Sequence, residues 1–171
     1  MNYITHYESP IGPITLASDG ESLTALLFNG ETFFDRLFDG QWDSLEIPAE
    51  DVRGFPAFAE TFRWLDIYFS GDVPDFLPPL SLALATPFGR EVCEIMMTIP
   101  YGETATYGQI ADMIAKRRGI ARMSAQAVGG AVGRNPISII IPCHRIIGSD
   151  GSLIGYGGGL DKKRKLLALE R

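Results

Sequence analysis

A cysteine and a histidine stand side by side in the most apolar stretch of the chain, IIIPCHRII, at residues 139–147. Unpaired cysteine is often core filler, but His144 and Arg145 need polar partners once they are carried into an apolar setting. A thiolate is a strong nucleophile, and an imidazole can take the thiol proton if a third group orients it. The pair therefore indicates nucleophilic chemistry at Cys143.

The composition limits the kinds of protein in which this chemistry could occur. With 46% hydrophobic and 21% charged residues over 171 positions, the chain is typical of a folded globular protein of one medium or two small domains. Two cysteines are too few for a disulfide scaffold, and we see neither a signal peptide nor an apolar run of roughly 20 residues. We therefore expect a cytoplasmic protein that does not enter the membrane.

Metal chemistry is not indicated. The candidate ligands are Cys93, Cys143, His6 and His144, and they show no paired spacing such as C-x-x-C or H-x-x-x-H. The sequence predicts no metal site, and we take Cys93 to be a core residue and His6 an ordinary strand residue.

Charge is divided unevenly along the chain. Residues 1–100 carry 4 Arg or Lys against 16 Asp or Glu, whereas residues 101–171 carry 11 against 5. Such asymmetry suggests different tasks for the two halves. We expect the cations between positions 116 and 145 to contact a polyanion. They are Lys116, Arg117, Arg118, Arg122, Arg134 and Arg145. The basic run 162–165 is explained equally well as a solvated helix face.

The first half of the chain predicts strands followed by a helix. Residues 1–28 indicate two strands, and no element is assigned to the acidic residues 30–55. The stretch FPAFAETFRWLDIYFSG then predicts a helix closed by Gly71, with a buried stripe of Phe58, Phe62, Leu65 and Phe69. The proline-rich residues 71–87 are the best candidate for a domain boundary.

Three helix starts are predicted in the second half. Thr86 before Pro87 is an N-cap pattern, Thr106 with Gln109 is a capping box, and Ser124 could cap the small-residue segment AQAVGGAVG. Helices rich in glycine are unfavourable unless another backbone approaches closely. Two short helices joined by a basic turn are what a helix-turn-helix needs to lie in a DNA groove.

A run of blocks in fixed order makes a family resemblance specific. Ile141-Pro142-Cys143-His144-Arg145 resembles the active-site signature of the O6-alkylguanine-DNA alkyltransferases, and residues 80–171 resemble that family throughout. The supporting blocks are Ile99-Pro100-Tyr101-Gly102, Thr106-Tyr107-Gly108, Ala127-Val128-Gly129, Asn135-Pro136, Gly155-Tyr156, Lys163, Leu166-Leu167 and Glu170. The resemblance implies an α+β protein, with an N-terminal ribonuclease-like α/β domain (1–80) and a mostly helical C-terminal domain with a helix-turn-helix (81–171).

The resemblance also implies a role for each matching residue. Cys143 would be the alkyl acceptor, His144 the base acting through a water, and Glu170 the residue that supports His144. Asn135 would hold the turn beneath the site, and Tyr107 would lie near the flipped base. The residues expected to contact the base or the DNA are Tyr156, Lys163, Gln126, Arg145, Arg122 and Arg134. Gln126 departs from the family, which has an arginine there, and the zinc ligands of some relatives are absent.

The implied function is repair of O6-alkylguanine in double-stranded DNA by one irreversible transfer to Cys143, with activity on O4-alkylthymine left open. No cofactor is implied, and we expect a monomer, associated with the nucleoid if the source is prokaryotic. Two alternatives remain: a lesion-binding alkyltransferase-like protein that does not repair, and a cysteine hydrolase. Because the lesion binders replace the cysteine, the combination of Cys143, His144 and Glu170 argues against the first. The hydrolase would have no use for the helix pair.

Overall fold

Four strands form the sheet of the N-terminal unit, in the order β3-β2-β1-β4. Strands β1 (Asn2–Ser9), β2 (Gly12–Ser18) and β3 (Leu23–Phe28) are antiparallel neighbours, and β4 (Ser44–Glu46) runs parallel to β1. The computed structural model describes residues 1–31 and 43–171 of the chain. Residues 32–42, part of the acidic segment to which no element was assigned, lie outside the described residues.

The expectation of two strands over residues 1–28 was wrong, because the middle segment is a strand and not a turn. Gly12 and Pro13 suggested a break, yet they pair with Ser9 and Glu8 at the start of β2, directly after a two-residue turn. The second turn is closed by the Asp19 carboxylate, which accepts the backbone N–H groups of residues 21 and 22 at 3.0 and 2.8 Å.

Helix α1 (Pro56–Phe69) packs on this sheet. It buries Phe58 and Leu65 as predicted, but Trp64 and Tyr68 take the other core positions, and Phe62 and Phe69 are only half-buried. These two rings instead contact the ring of Tyr7, with centroids 5.1 and 6.3 Å away. The buried face of α1 is therefore rotated slightly from the predicted one. Trp64 and Tyr68 lie on it, and Phe62 and Phe69 lie at its edge.

The proline-rich connector continues the sheet edge before the chain leaves the first unit. The backbone N–H of Leu23 donates to the Pro79 carbonyl at 2.8 Å, and the Ser81 N–H donates to the Leu23 carbonyl at 2.9 Å. The two compact units are residues 1–84 and 85–171. By sequence the first carries 3 Arg or Lys against 14 Asp or Glu, and the second 12 against 7.

The C-terminal unit is mainly helical, and its helices begin where the capping patterns predict. They are α2 (Pro87–Met96), α3 (Tyr107–Arg118), α4 (Ala125–Val132) and α5 (Leu160–Leu169), with a short parallel pair, β5 (Ala105–Thr106) and β6 (Ile146–Ile147). The hydroxyls of Thr86, Thr106 and Ser124 each accept a first-turn N–H at 3.0 to 3.1 Å. The Gln109 side chain completes the capping box on the Thr106 N–H at 2.8 Å.

The α+β prediction, with a sheet domain followed by a helical domain, is confirmed. None of the helices in residues 1–31 and 43–171 is long and apolar enough to cross a membrane.

Two of the cations expected to meet a polyanion link α3 to α2. Arg117 donates to the Glu94 carboxylate at 2.9 Å, and Arg118 donates to Glu91 through Nε at the same distance. Arg118 also lies 5.4 Å from the centroid of the Phe88 ring. The charges of Arg117 and Arg118 are therefore partly offset by carboxylates of α2, while their side chains stay 46% and 43% exposed.

Candidate active site

Cys143 lies in a single turn of 3-10 helix, Cys143–Arg145, that follows Pro142. Neighbouring residues in a strand point to opposite faces, so joint action of Cys143 and His144 needs either a local turn or a bridging water. The turn is reached through Ile139, which has a positive φ of 69°, an uncommon and strained conformation for a β-branched residue. The Cys143 side chain is nearly enclosed, with the residue 5% exposed.

Asn135 organises the backbone beneath this turn. Its Nδ2 donates to the carbonyls of Ile141 at 2.9 Å and Ile137 at 3.3 Å, and its Oδ1 accepts the Ile137 N–H at 3.0 Å. The Ile141 carbonyl also accepts the Cys143 N–H at 2.8 Å. Asn135 and Cys143 are therefore joined through one carbonyl, which is the arrangement expected of a residue that holds the turn.

The second cysteine is part of the core. Cys93 on α2 is 1% exposed, and its Sγ lies 3.9 Å from Asn135 Oδ1. Burial, followed by the charges of Cys143 and Glu94, raises the pKa of Cys93 to about 12. Cys93 therefore stays a protonated thiol near neutral pH and is a poor nucleophile.

His144, Arg145 and Glu170 form a buried charge network. His144 Nε2 lies 2.7 Å from Glu170 Oε1. The Arg145 guanidinium donates to Glu170 Oε2 through Nε at 2.9 Å and to Oε1 through Nη2 at 3.0 Å, and its Nη1 donates to the Ile99 carbonyl at 2.7 Å. The expectation that Arg145 contacts DNA is therefore corrected. Its charge is turned inward because the buried Glu170 carboxylate needs a cationic partner.

His144 is held in a state that can accept a proton. Complete burial lowers its pKa, and the nearby charges of Arg145 and Lys163 act in the same direction, while Glu170 opposes them. The imidazole is therefore neutral at neutral pH, and Glu170 is placed to stabilise the imidazolium once a proton arrives.

One site feature that was not predicted is the close contact of Gly102 with Glu170. Gly102 has a φ of +79°, and a Cβ built on it would lie 2.9 Å from the Glu170 carbonyl oxygen. Its N–H also approaches Glu170 Oε2 at 3.4 Å. A glycine directly after Pro100-Tyr101 predicts a tight turn. The residues around it do not indicate that Glu170 packs against this turn.

Tyr107 and Lys163 meet at residues 154–156, which we call the pocket loop. The single O–H of Tyr107 points between two carbonyls, that of Ile154 at 3.0 Å and, more weakly, that of Gly155 at 3.4 Å. Lys163 Nζ donates to the same two carbonyls at 2.9 and 3.4 Å, and also to that of Ile146. Tyr156 is half-buried in this loop.

The thiol lies close enough to this loop for its charge to be felt there. The pKa of Tyr107 is raised, first by burial and then by the Cys143 thiolate. The pKa of Lys163 is lowered by burial, against the opposing influence of the same thiolate. Lys163 is fully buried, whereas Lys165 is exposed and pairs with Asp161 at 2.9 Å. The run 162–165 is therefore not uniformly a solvated face.

Helix α4 presents small, exposed side chains. Ala125, Gln126 and Ala127 are exposed, and Arg122 and Arg134 are exposed near its two ends. Its glycines were expected to admit another backbone. A Cβ on Gly129 would instead lie 3.7 Å from the ring of Tyr107, so the close neighbour is an aromatic side chain of α3.

The side chains that commonly bind metals are not brought together. Across residues 1–31 and 43–171, no group of three or more His, Cys, Asp or Glu side chains is placed to hold a metal ion.

Comparison with known proteins covers both units. Residues 2–82 match the model of the 6-O-methylguanine DNA methyltransferase ribonuclease-like domain, and residues 87–171 match that of the DNA binding domain of the same methyltransferase. The chain is 43% identical to a methylated-DNA--protein-cysteine methyltransferase of Mycobacterium leprae, covering 100% of this chain and 93% of that protein. It is 46% identical to one from Methanosarcina barkeri, covering 98% and 96%.

Solved structures agree. A Mycobacterium tuberculosis relative crystallised in complex with DNA superposes with a TM-score of 0.82 at 41% identity, covering 98% of this chain and 92% of that one. The Pyrococcus kodakaraensis O6-methylguanine-DNA methyltransferase gives a TM-score of 0.64 at 28% identity, covering 99% of each chain. Both units, in the same order and over nearly their full length, thus match one kind of protein, and the chain belongs to the 6-O-methylguanine DNA methyltransferase family.

Proposed function

We propose that this protein repairs DNA by direct transfer of an alkyl group from O6-alkylguanine to Cys143, once per molecule. The observation that carries the proposal is the enclosed thiol on a tight turn beside the buried pair His144 and Glu170, 2.7 Å apart. Its relatives at 43% and 46% identity are named methylated-DNA--protein-cysteine methyltransferases. A displacement at an alkyl carbon needs a soft anionic nucleophile, and this pair supplies the base that makes one.

The reaction follows from these groups. The Cys143 thiol gives its proton to neutral His144 through a bridging water, and Glu170 stabilises the resulting imidazolium. The sulfur then forms a bond to the alkyl carbon while the bond between that carbon and O6 breaks. The electron pair stays with the guanine, which takes up a proton in turn. A thioether is a poor leaving group, and the second cysteine of the chain is a protonated core thiol, so each molecule reacts once.

DNA is the partner, and the lesion must be presented outside the base stack. In this proposal α4 lies in the groove, Arg122 and Arg134 contact phosphates, and the extruded base enters a pocket lined by Tyr107 and Tyr156. The apolar residues 139–141 beneath Cys143 keep water from the reacting centre. The protein acts as a monomer in the cytoplasm, on the nucleoid if the source is prokaryotic.

One observation favours a second candidate, a lesion-binding protein that does not repair. Gln126 stands on the exposed face of α4 where the family has the arginine that fills the gap left by the extruded base. Weak gap filling would suit a sensor as well as a slow repair protein. The assembled Cys143, His144 and Glu170 favour repair, since a sensor has no need of them.

Mass spectrometry of the intact protein tests the proposal. After incubation with a duplex oligonucleotide containing O6-methylguanine, we expect one methyl group per molecule, located on Cys143. Cys143→Ser should gain none, and the matched control Cys93→Ser should still gain one, because Cys93 is a protonated core thiol. Binding without methylation would identify a sensor, and transfer well beyond one equivalent of protein would contradict single use.

A further inference from the structure

Two donors from different elements serve the same pair of carbonyls in the pocket loop. Tyr107, at the start of α3, and Lys163, in α5, both donate to Ile154 and Gly155. A carbonyl oxygen has two lone pairs, so the double contact is chemically allowed. Nevertheless, one donor would be sufficient to satisfy each carbonyl, and the second therefore calls for an explanation.

The approach of Tyr107 to this loop is a specific feature. Gly155 has a φ of +58°, and a Cβ built on it would lie 3.4 Å from the Tyr107 hydroxyl oxygen. The left-handed backbone turns the two carbonyls toward that hydroxyl, and the missing side chain leaves room for it. Lys163 reaches them from the interior, where it is fully buried and also bonds the Ile146 carbonyl.

We propose that the Tyr107 hydroxyl holds the pocket loop in the DNA-free protein, and that Lys163 is a positioning residue that keeps the loop in place when this hydroxyl turns to an extruded base. The first half concerns the protein alone. The second half rests on the proposed repair function. In this arrangement the Tyr107 hydroxyl donates to the pocket loop before the base enters and to the base afterwards. Lys163 donates to the loop in both states.

The physical reason is the penalty for an unsatisfied carbonyl. A carbonyl that loses its donor on closure over a base is disfavoured, because water is excluded at the same moment. An ammonium with three N–H groups can serve the carbonyls of Ile146, Ile154 and Gly155 together. Lys163 thereby makes the release of Tyr107 nearly neutral in free energy, and base entry does not have to disrupt the loop.

Hydrogen exchange of residues 153–159 in the DNA-free protein tests the first half. Because each donor covers for the other at Ile154 and Gly155, Tyr107→Phe and Lys163→Met should each change the exchange rate of this loop little, although Lys163→Met also removes the donor to the Ile146 carbonyl outside it. The double variant should exchange faster by much more than the product of the two single effects. Lys165→Met, which removes an exposed ammonium two residues away, is the matched control and should behave as wild type.

If Tyr107→Phe alone opened the loop as far as the double variant, or if the two effects were simply multiplicative, the shared role would be refuted. The Tyr107→Phe measurement stands even if Lys163→Met folds poorly, because it removes only a hydroxyl. Neither result depends on alkyl transfer, so the repair proposal could fail while this one holds.

Binding tests the second half, in a Cys143→Ser background that prevents reaction. Lys163→Met should reduce the preference for an O6-methylguanine duplex over an unmodified duplex by about tenfold, since Tyr107 can no longer leave the loop without exposing it. Affinity for the unmodified duplex should fall much less, and the circular dichroism spectrum of the variant checks that it is folded. An equal loss on both duplexes, or an unchanged preference, would overturn the inference.

Discussion

At the scale of single residues, the reactivity of the site depends on a histidine set between charges of opposite sign. Glu170 favours the protonated imidazole, whereas burial and the Arg145 guanidinium disfavour it. The three side chains are enclosed together, with Arg145 11% and Glu170 1% exposed. In such a network the removal of one partner leaves a buried charge uncompensated, so each residue alters the protonation of the others.

We predict that two substitutions shift the pH dependence of alkyl transfer in opposite directions. In the proposed reaction the neutral imidazole is the base, so the rate should fall when pH drops through the His144 pKa, which lies below its ordinary value of about 6.5. Arg145→Met removes a cation, raises that pKa and moves the fall to higher pH. Glu170→Gln removes an anion, lowers the pKa and moves the fall to lower pH, with a slower plateau. Single-turnover rates over a pH series measure both.

Each of these variants serves as the control for the other, since a general loss of structure would move both in one direction. Arg145→Lys should lie between wild type and Arg145→Met, because it keeps the charge but not the fork of donors that holds both Glu170 oxygens. Shifts of the same sign would show that His144 is not the titrating base.

Sequence patterns predicted which side chains lie together at the candidate site better than they predicted the direction in which each side chain points. Cys143 and His144 were predicted from their chemistry, and Glu170 from the family resemblance; the last two lie together. Arg145 was expected to contact DNA as one of a group of cations, and Lys163 was expected near the base pocket from the family resemblance. Both satisfy buried acceptors, and that depends on tertiary contacts with residues up to 46 positions away in the sequence, which no local pattern encodes.

At the scale of elements, helix starts were predictable and strand breaks were not. A cap is a local event in which one hydroxyl accepts one N–H three residues ahead, so Thr86, Thr106 and Ser124 could be recognised from a few letters. The division of residues 1–28 into three strands depends on cross-strand pairing, which gives Gly12 and Pro13 places at a strand end.

We predict that Gln126→Arg speeds transfer from duplex DNA and changes transfer from single strands or free base little. A longer cationic side chain on the exposed face of α4 should fill the vacated stack better than glutamine and offset more of the extrusion penalty. Single-turnover transfer on the three substrates provides the comparison. The gain should be confined to the duplex, where extrusion is hardest.

The matched control is Ala127→Arg, which adds the same charge at the neighbouring exposed position. It should tighten DNA binding without the selective gain in rate. An equal gain from both variants would assign the effect to charge alone, and no gain from Gln126→Arg on duplex would mean that another residue fills the gap. Arg122 and Arg134, which flank the helix, would then be tested.

At the scale of the whole molecule, four arginines of the C-terminal unit fall into two kinds. Arg117 and Arg118 are paired with Glu94 and Glu91, whereas Arg122 and Arg134 are exposed beside α4. We expect the second kind to release more counterions from DNA, because the charges of the first kind are partly offset by neighbouring carboxylates. The contribution of an arginine to DNA binding therefore depends on whether a carboxylate lies beside it, which the sequence alone does not show.

We predict that Arg122→Gln and Arg134→Gln each reduce the salt dependence of duplex binding. The slope of log affinity against log salt should fall by roughly 0.9 for each phosphate that the variant no longer neutralises. Arg117→Gln is the control, and its slope should stay close to that of wild type. Affinity measured from low to moderate salt gives the slopes of wild type and the three variants. If Arg117→Gln reduced the slope as much as Arg122→Gln and Arg134→Gln do, the distinction between paired and available cations would be wrong.

The opposite charges of the two units have a consequence for the time spent searching a genome. The first unit, with 3 cations against 14 carboxylates, is repelled by any phosphate backbone, whereas the second, with 12 against 7, is attracted. The repulsion shortens each visit to intact DNA, because non-specific residence is governed by charge alone. A molecule that reacts only once gains from brief visits, since each undamaged site it leaves quickly frees it to inspect another. We therefore expect the acidic unit to shorten the search, although none of the candidate site residues lies in it.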